Sequence, residues 1–441
     1  MRIAIIGTGY VGLVSGVCLA DLGHEVVCVD SDLGKVARLQ QGEVPIYEPG
    51  LEAICARNVS AGRLTFTADM AAAIEGCRLV MLAVGTPSAP SGEADLSFLY
   101  LAVDQLLAIT REPLLLVIKS TVPIGTNRQI AERVRAAGSA RIEVASNPEF
   151  LREGKAVQDF LSPDRIVVGA ESQAARTVME SLYAPLVRQG YPLLFTDLET
   201  AEIIKYAANA FLAAKVAFIN QVADLCEASG ADVEQVAHGM GLDSRIGAQF
   251  LKPGPGYGGS CFPKDTRALA WTARRLGRPV GIIEAVIEEN EVRKRQMVEK
   301  IVAACGGSVN GLTIGVLGVA FKGGTDDIRE SPALVILPLL QELGARVVAY
   351  DPAAMGPASL QLPGIVWAEG ALQALAGADA GVVLTEWVDF ARLDLNDIAA
   401  ALRRPVLIDL RNLFSPEAAA EAGLDYVSIG RQTRRATVGA S

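Results

Sequence analysis

The chain has 441 residues, of which 51% are hydrophobic and 20% charged, and it carries a formal net charge of −10. This length exceeds one ordinary hydrophobic core and predicts two or three domains, and the composition excludes a disordered chain or a coiled coil. The acidic balance argues against a general binder of nucleic acid or anionic membranes, because those partners need a basic surface. Seven cysteines without a C-x-x-C pair or metal-like spacing predict reduced thiols, a cytoplasmic protein and no metal site.

The first 30 residues have the pattern of strand, glycine turn, helix and strand. Residues 3–6 are apolar, Gly7-Thr8-Gly9-Tyr10-Val11-Gly12 follows, and the helix is predicted to end near Leu22. The second strand, residues 25–29, ends on Asp30. In this context the glycines let the backbone approach a pyrophosphate at a helix N-terminus, and the acid accepts the ribose hydroxyls. Because Asp30 would repel a 2′-phosphate, NAD is favoured over NADP.

Further apolar strands are predicted at residues 79–84, 114–118 and 142–145. Small polar residues follow each of them, at the carboxyl end of the strand, where doubly wound sheets bind ligands. Residues 165–169 and 193–195 are predicted to be the last strands of this domain.

A long helix is predicted from Leu198 to about Ser229, which contains neither proline nor an internal glycine. Such a mostly apolar helix suits an inter-domain spine or a dimer core. Lys205 and Asn209 are four residues apart and therefore lie on one face. They either form a structural salt bridge or face a site, because a buried ammonium and amide need partners. More helix is expected to about residue 241, then a loop over residues 245–265, then helices to residue 304.

The stretch Gly258-Gly259-Ser260-Cys261-Phe262-Pro263-Lys264-Asp265 follows a loop rich in glycine and proline, residues 252–257. It places one thiol beside one ammonium and one carboxylate. A nearby cation favours the thiolate that attacks carbonyls, so Cys261 is a candidate nucleophile. The alternative is a small, buried apolar residue. With only two histidines in the chain, proton chemistry is expected to fall to lysine, carboxylates, cysteine or water.

The opening pattern returns at residues 313–318, and the strand at residues 346–350 again ends on an acid, Asp351. The turn after residue 317 lacks the second and third fingerprint glycines, so a different nucleotide is expected there, held partly by Lys322 and Arg411. The predicted fold class is therefore α/β, with two Rossmann-like doubly wound domains joined by a long central helix and a helical middle domain. The predicted boundaries are residues 1–197, 198–305 and 306–441.

Taken together, the motifs resemble the UDP-glucose/GDP-mannose dehydrogenase family over essentially the whole chain. The motifs that carry the resemblance are Gly7-Thr8-Gly9-Tyr10-Val11-Gly12, Lys119-Ser120-Thr121-Val122-Pro123, Ser146-Asn147-Pro148-Glu149-Phe150-Leu151, Glu202-Ile203-Ile204-Lys205-Tyr206, Gly258 through Asp265, and Phe321-Lys322 before Asp327-Ile328-Arg329-Glu330-Ser331. The resemblance implies an NAD-dependent oxidation of a sugar-nucleotide C6 alcohol to a carboxylate in two hydride transfers. It also implies an N-terminal NAD domain, a C-terminal UDP-sugar domain and a helical core that forms a homodimer or higher homo-oligomer.

The resemblance also assigns roles to individual residues. The catalytic set is Cys261, Lys205, Asn209, Asp265, Glu149 and Thr121, with Asp265, or a water held by it and Lys205, receiving the first proton. The cofactor set is Gly7, Gly9, Tyr10, Val11, Gly12, Asp30, Lys35, Thr86, Thr121, Glu153, Lys264 and Arg329. The substrate set is Glu149, Phe150, Leu151, Lys205, Asn209, Arg245, Phe250, Lys252, Tyr257, Gly258, Phe321, Lys322 and Arg411, of which Arg245 is implied to reach a neighbouring subunit's substrate.

The substrate implied is UDP-glucose and the product UDP-glucuronate, with GDP-mannose or another nucleotide sugar as the alternative. UDP-mannosamine-type relatives carry a histidine before the nucleophile, where this chain has Ser260. Gly323-Gly324 replaces a bulkier stretch of the family and leaves the contact of Arg329 with NAD open. An epimerase would need Tyr-x-x-x-Lys, and none of the nine tyrosines has a lysine four residues later. A non-catalytic NAD-binding protein would not need the catalytic set.

Overall fold

The computed structural model describes residues 1–139 and 141–436. The chain divides into two compact units, one made of residues 1–208 and 268–278 and the other of residues 209–267 and 279–441. The three-domain division predicted from the sequence stays a prediction. Within the described residues, no helix combines the length and the apolar character that a membrane crossing requires.

The first unit is built on an eight-stranded sheet with the strand order β3-β2-β1-β4-β5-β6-β7-β8. The central strands are completely buried apolar runs, as parallel strands covered on both faces require. The strands are β1 (Arg2–Ile6), β2 (Glu25–Val29), β3 (Leu64–Thr67), β4 (Leu79–Leu82), β5 (Leu114–Ile118), β6 (Ile142–Ser146), β7 (Ile166–Ala170) and β8 (Leu193–Thr196). The edge strand β3, which alternates buried and exposed residues, was not predicted.

The helices of the first unit cover both faces of this sheet and enclose two apolar clusters. They are α1 (Tyr10–Asp21), α2 (Leu33–Gln40), α3 (Leu51–Ser60), α4 (Met70–Ile74), α5 (Ser97–Ile109), α6 (Thr126–Ala136), α7 (Ala156–Leu161) and α8 (Gln173–Val187). All strand pairs are parallel except β6 with β7, where Ala145 pairs with Ala170 in antiparallel register. The doubly wound pattern therefore covers β1 to β6, and β7 and β8 extend the sheet beyond it.

Four helices follow the first sheet in the chain: α9 (Leu198–Ser229), α10 (Val233–Gly241), α11 (Phe262–Arg275) and α12 (Gly281–Ala304). The bounds of α9 agree with the sequence prediction. The prediction of a loop up to residue 265 was wrong, because α11 already begins at Phe262 and Asp265 lies in its first turn. Pro263 at the second position explains this start, since a proline there loses no helical hydrogen bond.

The second unit holds a six-stranded parallel sheet with the order β11-β10-β9-β12-β13-β14. Its strands are β9 (Thr313–Leu317), β10 (Arg346–Tyr350), β11 (Val366–Trp367), β12 (Ala380–Val383), β13 (Val406–Asp409) and β14 (Asp425–Ser428). Its helices are α13 (Ala333–Glu342), α14 (Met355–Ser359), α15 (Ala371–Leu375), α16 (Val388–Ala391), α17 (Leu395–Ala401) and α18 (Pro416–Glu421). One apolar cluster joins this sheet to α12 and the C-terminal part of α9. The predicted second Rossmann-like fold is confirmed.

Candidate active site

The glycine turn after β1 has the backbone that a dinucleotide site needs. Gly7 has φ of +98°, and a Cβ there would lie 2.6 Å from the carbonyl oxygen of Ala83. A Cβ on Gly12 would lie 1.9 Å from the carbonyl oxygen of Gly7. At Gly9, by contrast, no heavy atom of the described chain beyond its neighbours lies within 4 Å of an added Cβ. Two of the glycines are therefore needed by the fold itself, and Gly9 leaves open space above the helix N-terminus.

Asp30 at the end of β2 closes this turn. Its Oδ2 accepts hydrogen bonds from the Thr8 amide at 2.8 Å and the Thr8 hydroxyl at 2.6 Å, and from Lys35 Nζ at 3.0 Å. Burial alone would raise the pKa of Asp30, but these donors and the Asp32 amide outweigh it and lower the pKa to about 2. The carboxylate is thus ionised at neutral pH, as the ribose site predicted from the sequence requires.

A cleft of ≈ 570 Å³ opens beside this turn and contains four of the predicted cofactor residues, Gly7, Gly9, Asp30 and Lys35. Its far wall is apolar and includes Phe98 and Leu101 of α5, which are 57% and 56% exposed. Neither residue was predicted from the sequence to belong to a site. Apolar residues on a helix normally indicate a buried face, and only their exposure shows that they line a cleft.

Tyr10 ties the glycine turn to the segment before α7. Its hydroxyl donates to the carboxylate of Glu48, which also accepts from the amides of Gly154 and Ala156, both at 2.7 Å. Glu48 is buried and holds this segment, in which the predicted cofactor residue Glu153 lies. Sequence reasoning missed Glu48 because it lies between α2 and α3 without a motif around it. Val11, another predicted cofactor residue, is partly buried and packs against one of the two apolar clusters of the first unit.

Thr86 and Thr121, two predicted site residues that follow β4 and β5, are joined by a hydrogen bond. The hydroxyl of Thr86 donates to the carbonyl oxygen of Thr121 at 2.8 Å. Thr86 is buried and Thr121 is half-buried. The structure therefore brings a predicted cofactor residue and a predicted catalytic residue together.

Glu149 and Lys205 form a buried ion pair within the first unit. Lys205 Nζ lies 2.9 Å from Glu149 Oε1, and the side chains are 3% and 5% exposed. Burial would raise the pKa of Glu149, but the charge of Lys205, its hydrogen bond and the Leu151 amide outweigh it and lower the pKa. The ring of Phe150 lies under Lys205 Nζ at 5.4 Å. The sequence offered a structural salt bridge and a site as alternatives, and this pair joins two residues of the predicted site.

A second buried lysine, Lys119, lies close to this pair and was not singled out from the sequence. Its Nζ donates to Asn147 Oδ1 at 3.1 Å, and the hydroxyl of Tyr183 donates to the same oxygen at 2.6 Å. Burial lowers the pKa of Lys119 to about 8, against the charge of Glu149, which raises it. A lysine inside the Lys-Ser-Thr-Val-Pro motif was the available signal, but its burial could not be predicted from that motif.

The second unit holds Cys261 immediately before α11. All seven cysteines are thiols outside any disulfide, and Cys261 is half-buried whereas the other six are buried. The hydroxyl of Ser260 lies 3.5 Å from the Cys261 sulfur. Cys261 is therefore the thiol most open to a ligand, and its role as a nucleophile stays a prediction.

Asp265, one turn into α11, has both carboxylate oxygens engaged. Asn209 Nδ2 donates to Oδ2 and Lys264 Nζ to Oδ1, both at 2.6 Å, and the Asp265 side chain is 1% exposed. The predicted catalytic residues Asn209 and Asp265 are thus in direct contact, with the predicted cofactor residue Lys264 on the other side. This arrangement holds the amide and the carboxylate in fixed orientations.

Aromatic residues surround the start of α11. The ring of Phe262 packs edge-on against Tyr257 at 6.1 Å and tilted against Phe250 at 5.9 Å. Phe250 has φ of 64°, which is unfavourable for a bulky side chain and marks a constrained position. Lys252, also predicted to bind substrate, is exposed.

Gly258 and Gly259 pass closely between two other segments of the second unit. A Cβ on Gly258 would lie 2.5 Å from the carbonyl oxygen of Glu330, and one on Gly259 would lie 2.7 Å from the ring of Phe321. The Gly259 amide donates to the carbonyl oxygen of Arg329 at 2.8 Å. The structure therefore explains both glycines by close packing and brings the predicted substrate residues Gly258 and Phe321 together.

Arg411 lies beside the same segment. Its guanidinium donates to the carbonyl oxygens of Leu384 and Phe321, both at 2.7 Å, and lies 3.0 Å from the carboxylate of Glu386. Lys322 Nζ lies 5.3 Å from the centre of the Phe321 ring. The predicted cations Lys322 and Arg411 thus both lie near Phe321.

The acid that ends β10, Asp351, differs from Asp30 in its surroundings. It is completely buried, and its oxygens accept from the amides of Val319, Ala320, Ala353 and Ala354 and from the indole of Trp387. The Asp351 carboxylate therefore stabilises the turns that follow β9 and β10.

Arg245 and Arg329 are the most exposed of the predicted site residues that carry a guanidinium. The side chain of Arg245 is 87% exposed and pairs with Asp243 at 2.6 Å. That of Arg329 is 60% exposed and pairs with Asp327 at 2.8 Å. Each of these guanidinium groups therefore pairs with the aspartate two residues before it.

Comparisons with known proteins identify the same family in the N-terminal, central and C-terminal parts of the chain. Residues 1–187 match the NAD binding domain of the UDP-glucose/GDP-mannose dehydrogenase family, residues 199–292 its central domain and residues 315–416 its UDP binding domain. A UDP-glucose 6-dehydrogenase of Rhizobium meliloti is 49% identical over 435 residues, 98% of this chain and 100% of the relative. One of Bacillus subtilis is 48% identical, covering 99% and 94%. The solved structure of a UDP-glucose dehydrogenase from Pyrobaculum islandicum superposes with a TM-score of 0.89 at 39% identity, over 96% of both chains.

Proposed function

The chain belongs to the UDP-glucose/GDP-mannose dehydrogenase family, and we propose that it oxidises UDP-glucose to UDP-glucuronate with NAD as its cofactor. The observation that carries the proposal is the half-buried thiol of Cys261 in the same unit as the Asn209–Asp265–Lys264 network. A four-electron oxidation of an alcohol to a carboxylate needs a nucleophile such as this thiol, because an aldehyde gives up a hydride only after a nucleophile has added to its carbonyl carbon.

The residues of the first unit fit NAD. The turn offers the open space at Gly9 and the helix N-terminus that a pyrophosphate needs, and Asp30 offers an ionised carboxylate for the ribose hydroxyls. NAD, when bound, supplies the hydride acceptor for each of the two oxidations. Gly7, Gly9, Tyr10, Val11, Gly12, Lys35, Thr86, Thr121, Glu153, Lys264 and Arg329 stay the proposed cofactor residues.

In the first oxidation the C6 hydroxyl loses a proton, to Asp265 or to a water that Asp265 and Lys205 hold. The contacts of Asp265 with Asn209 and Lys264 keep its carboxylate oriented for this exchange. In the second, the Cys261 thiolate attacks the aldehyde to give a thiohemiacetal, whose C–H can leave as a hydride to yield a thioester.

The oxyanions formed on this route need preorganised donors. Lys205 and Asn209, four residues apart on α9, are suited to that role, because both are already held by a partner, Glu149 and Asp265 respectively. Water then hydrolyses the thioester, releasing the Cys261 thiol and the carboxylate product. Glu149 and Thr121 are the proposed residues that position this water.

Four proposed substrate residues of the second unit lie together, namely Gly258, Phe321, Lys322 and Arg411. The cations Lys322 and Arg411 suit a diphosphate, which needs N–H donors and positive charge. The other proposed substrate residues are Phe150, Leu151, Arg245, Phe250, Lys252 and Tyr257.

Counting NADH tests the proposal. We expect two NADH for each UDP-glucose consumed, and a stoichiometry of one or zero would refute the two-step mechanism. A panel of UDP-glucose, GDP-mannose, UDP-galactose and UDP-N-acetylmannosamine decides the substrate. Preference for GDP-mannose would keep the mechanism and change the substrate, whereas NAD binding without turnover of any of them would indicate a non-catalytic protein.

A homodimer or higher homo-oligomer is part of the proposal. Phe211, Phe218 and Leu225 recur every seven residues along α9 and are 66%, 50% and 67% exposed. An apolar stripe of this kind on a long helix suits packing against a second copy. Sedimentation equilibrium should show a dimer or larger, and Phe218→Glu should shift it toward monomer. If Arg245 acts on a neighbouring subunit's substrate, that monomer should be inactive.

The cytoplasm is the proposed location. Its support is that the seven cysteines, six of them buried, are thiols without a disulfide, a state that a reducing compartment maintains.

A further inference from the structure

The loop that leads to Cys261 is buried although it has no regular secondary structure. Residues 253–259 are all buried, and they comprise four glycines, two prolines and Tyr257. A buried loop must still pair its N–H and C=O groups, because each unpaired group costs as much as a lost hydrogen bond. The partners of this loop therefore decide its conformation.

Side chains from two helices supply these partners. The Gly254 amide donates to Asn220 Oδ1 of α9 at 2.8 Å, and the Gly254 carbonyl accepts from Arg293 Nε of α12 at 3.1 Å. The three residues are buried, and Arg293 is 0% exposed. One end of the loop is thus fixed by two side chains that belong to different helices.

Asn290 of α12 holds Tyr257, toward the other end of the loop, with its side-chain amide. Its Oδ1 accepts from the Tyr257 amide at 2.7 Å and its Nδ2 donates to the Tyr257 carbonyl at 3.0 Å. The side-chain amide therefore pairs with one residue as a neighbouring β-strand would. Gly256, with φ of +116°, passes so close that a Cβ there would lie 3.0 Å from the same Oδ1. Asn290 is 3% exposed, so no bulk water competes for these bonds.

Tyr257 connects this clamp to the thiol. Its side chain packs in a small apolar cluster with Ala213, Ala217 and Val286, and its ring meets Phe262 edge-on at 6.1 Å. Phe262 is the first residue of α11 and directly follows Cys261. A shift of the Tyr257 backbone would therefore be passed through the two rings to the start of α11.

We propose that Asn290 is a positioning residue for the reaction: its two hydrogen bonds to Tyr257 hold the loop so that Cys261 and the substrate-binding glycines keep their places. The expected effect on the KM for UDP-glucose rests on the proposed function, whereas the expected effect on the reactivity of Cys261 does not. Nothing in it requires Asn290 to touch substrate or cofactor.

Two variants of Asn290 test it. Asn290→Asp keeps the shape and the bond from the Tyr257 amide but sets a carboxylate oxygen against the Tyr257 carbonyl. Asn290→Ala removes both bonds. Loss of one buried hydrogen bond corresponds to about a fivefold change in an equilibrium constant. We therefore expect the KM for UDP-glucose to rise about fivefold or more in either variant, with the KM for NAD unchanged.

The second readout is the rate at which iodoacetamide alkylates Cys261, followed by peptide mass spectrometry without substrate. Cys261 is the thiol that is not buried, so its modification is selective. We expect this rate to rise about threefold or more in both variants, because a loosened loop uncovers the thiol. The control is Asn58→Ala, which removes a completely buried asparagine of α3 with bonds to Asp21 and Arg63.

The control should lose stability without changing the alkylation rate or the KM for UDP-glucose. Wild-type alkylation in both Asn290 variants, or an equal change in Asn58→Ala, would overturn the proposal. If UDP-glucose proves not to be the substrate, the alkylation rates still decide the role of Asn290. If Asn290→Ala does not fold, Asn290→Asp decides it alone.

Discussion

Lys205 Nζ lies 2.9 Å from Glu149 Oε1, in a pair whose side chains are 3% and 5% exposed. A buried pair of this kind gains little over an apolar pair, but removal of one partner leaves an uncompensated buried charge. Lys119 provides a second positive charge near Glu149 and lowers its pKa further. The carboxylate is therefore held ionised by two lysines.

This relationship predicts an unequal response to single and double substitution. Lys205→Met and Glu149→Gln should each reduce kcat by about 100-fold or more, as expected for the loss of a preorganised donor or base. Lys205→Met should also lower the free energy of unfolding by about 3–5 kcal/mol, because Glu149 is left without its nearest cation. Urea unfolding measures this loss.

The double variant Lys205→Met with Glu149→Gln should be more stable than Lys205→Met alone, since no unpaired carboxylate remains. Additive losses in the double-mutant cycle would show that the pair contributes no coupling and would contradict the prediction.

Gly9 and Gly12 should respond differently to alanine. An added Cβ at Gly9 meets no described atom within 4 Å, whereas one at Gly12 lies 1.9 Å from the Gly7 carbonyl oxygen. Gly9→Ala should therefore fold with wild-type stability but raise the KM for NAD about tenfold or more, since the Cβ enters the space proposed for the pyrophosphate. Thermal unfolding and initial rates at varied NAD measure the two effects.

Gly12→Ala is the matched comparison and should lose stability outright. Wild-type NAD kinetics in Gly9→Ala would place the pyrophosphate elsewhere.

The elements that the sequence predicted best are those with a single strong signal. The helix Leu198–Ser229 has neither glycine nor proline inside it, and its bounds agree with the prediction. The start of α11 was missed because a proline and two adjacent charges resemble a loop, although proline is favoured in the first turn of a helix. The short edge strand β3 has only half of its residues buried, so its pattern is too weak to stand out.

The site was predictable as a set of residues but not as a set of contacts. Glu149 and Lys205 are 56 positions apart, as are Asn209 and Asp265, and no spacing rule connects such pairs. Glu48 and Asn290 carry no reactive motif, and their importance follows only from the backbone groups that they bind. Burial, rather than residue type, also gives Lys119 its lowered pKa.

Glu202 predicts a specific pH dependence of stability. It is 3% exposed and accepts from the Gly125 amide at 2.6 Å and from the amide and side chain of Asn127 at 2.8 and 2.7 Å. Burial outweighs these donors and raises its pKa to about 7. In the unfolded chain a glutamate titrates near 4.3. Between these pH values the folded state binds the extra proton, so the contribution of Glu202 to stability is full below about pH 4.3 and is lost as the pH rises through 7.

Glu202→Gln removes this titration. The stability of the wild type relative to Glu202→Gln should fall by about 1–3 kcal/mol between pH 4.5 and 7.5 in urea unfolding. Glu199→Gln is the control of opposite sign, because the hydrogen bond from Arg128 lowers the pKa of Glu199. There the wild type should lose stability relative to the variant as the pH falls. A difference between wild type and Glu202→Gln that does not vary with pH would contradict the assignment.

Cys261 and Ser260 lie side by side, with Oγ and Sγ 3.5 Å apart, and they allow the role of the thiol to be separated from that of its surroundings. Cys261→Ser nearly keeps the size of the side chain but replaces the thiol, a strong nucleophile, with a hydroxyl that is a much weaker one. We expect the variant to bind UDP-glucose and NAD as the wild type does and to lose steady-state turnover by about 1,000-fold or more. In a single turnover it should form at most one NADH per site, or stall as a stable ester that intact-protein mass spectrometry detects.

Ser260→Ala is the matched control and should keep two NADH per UDP-glucose, because the hydroxyl has no step of its own in the mechanism. Two NADH per substrate at normal rate in Cys261→Ser would remove the thiol from the chemistry and leave its exposure without a catalytic explanation.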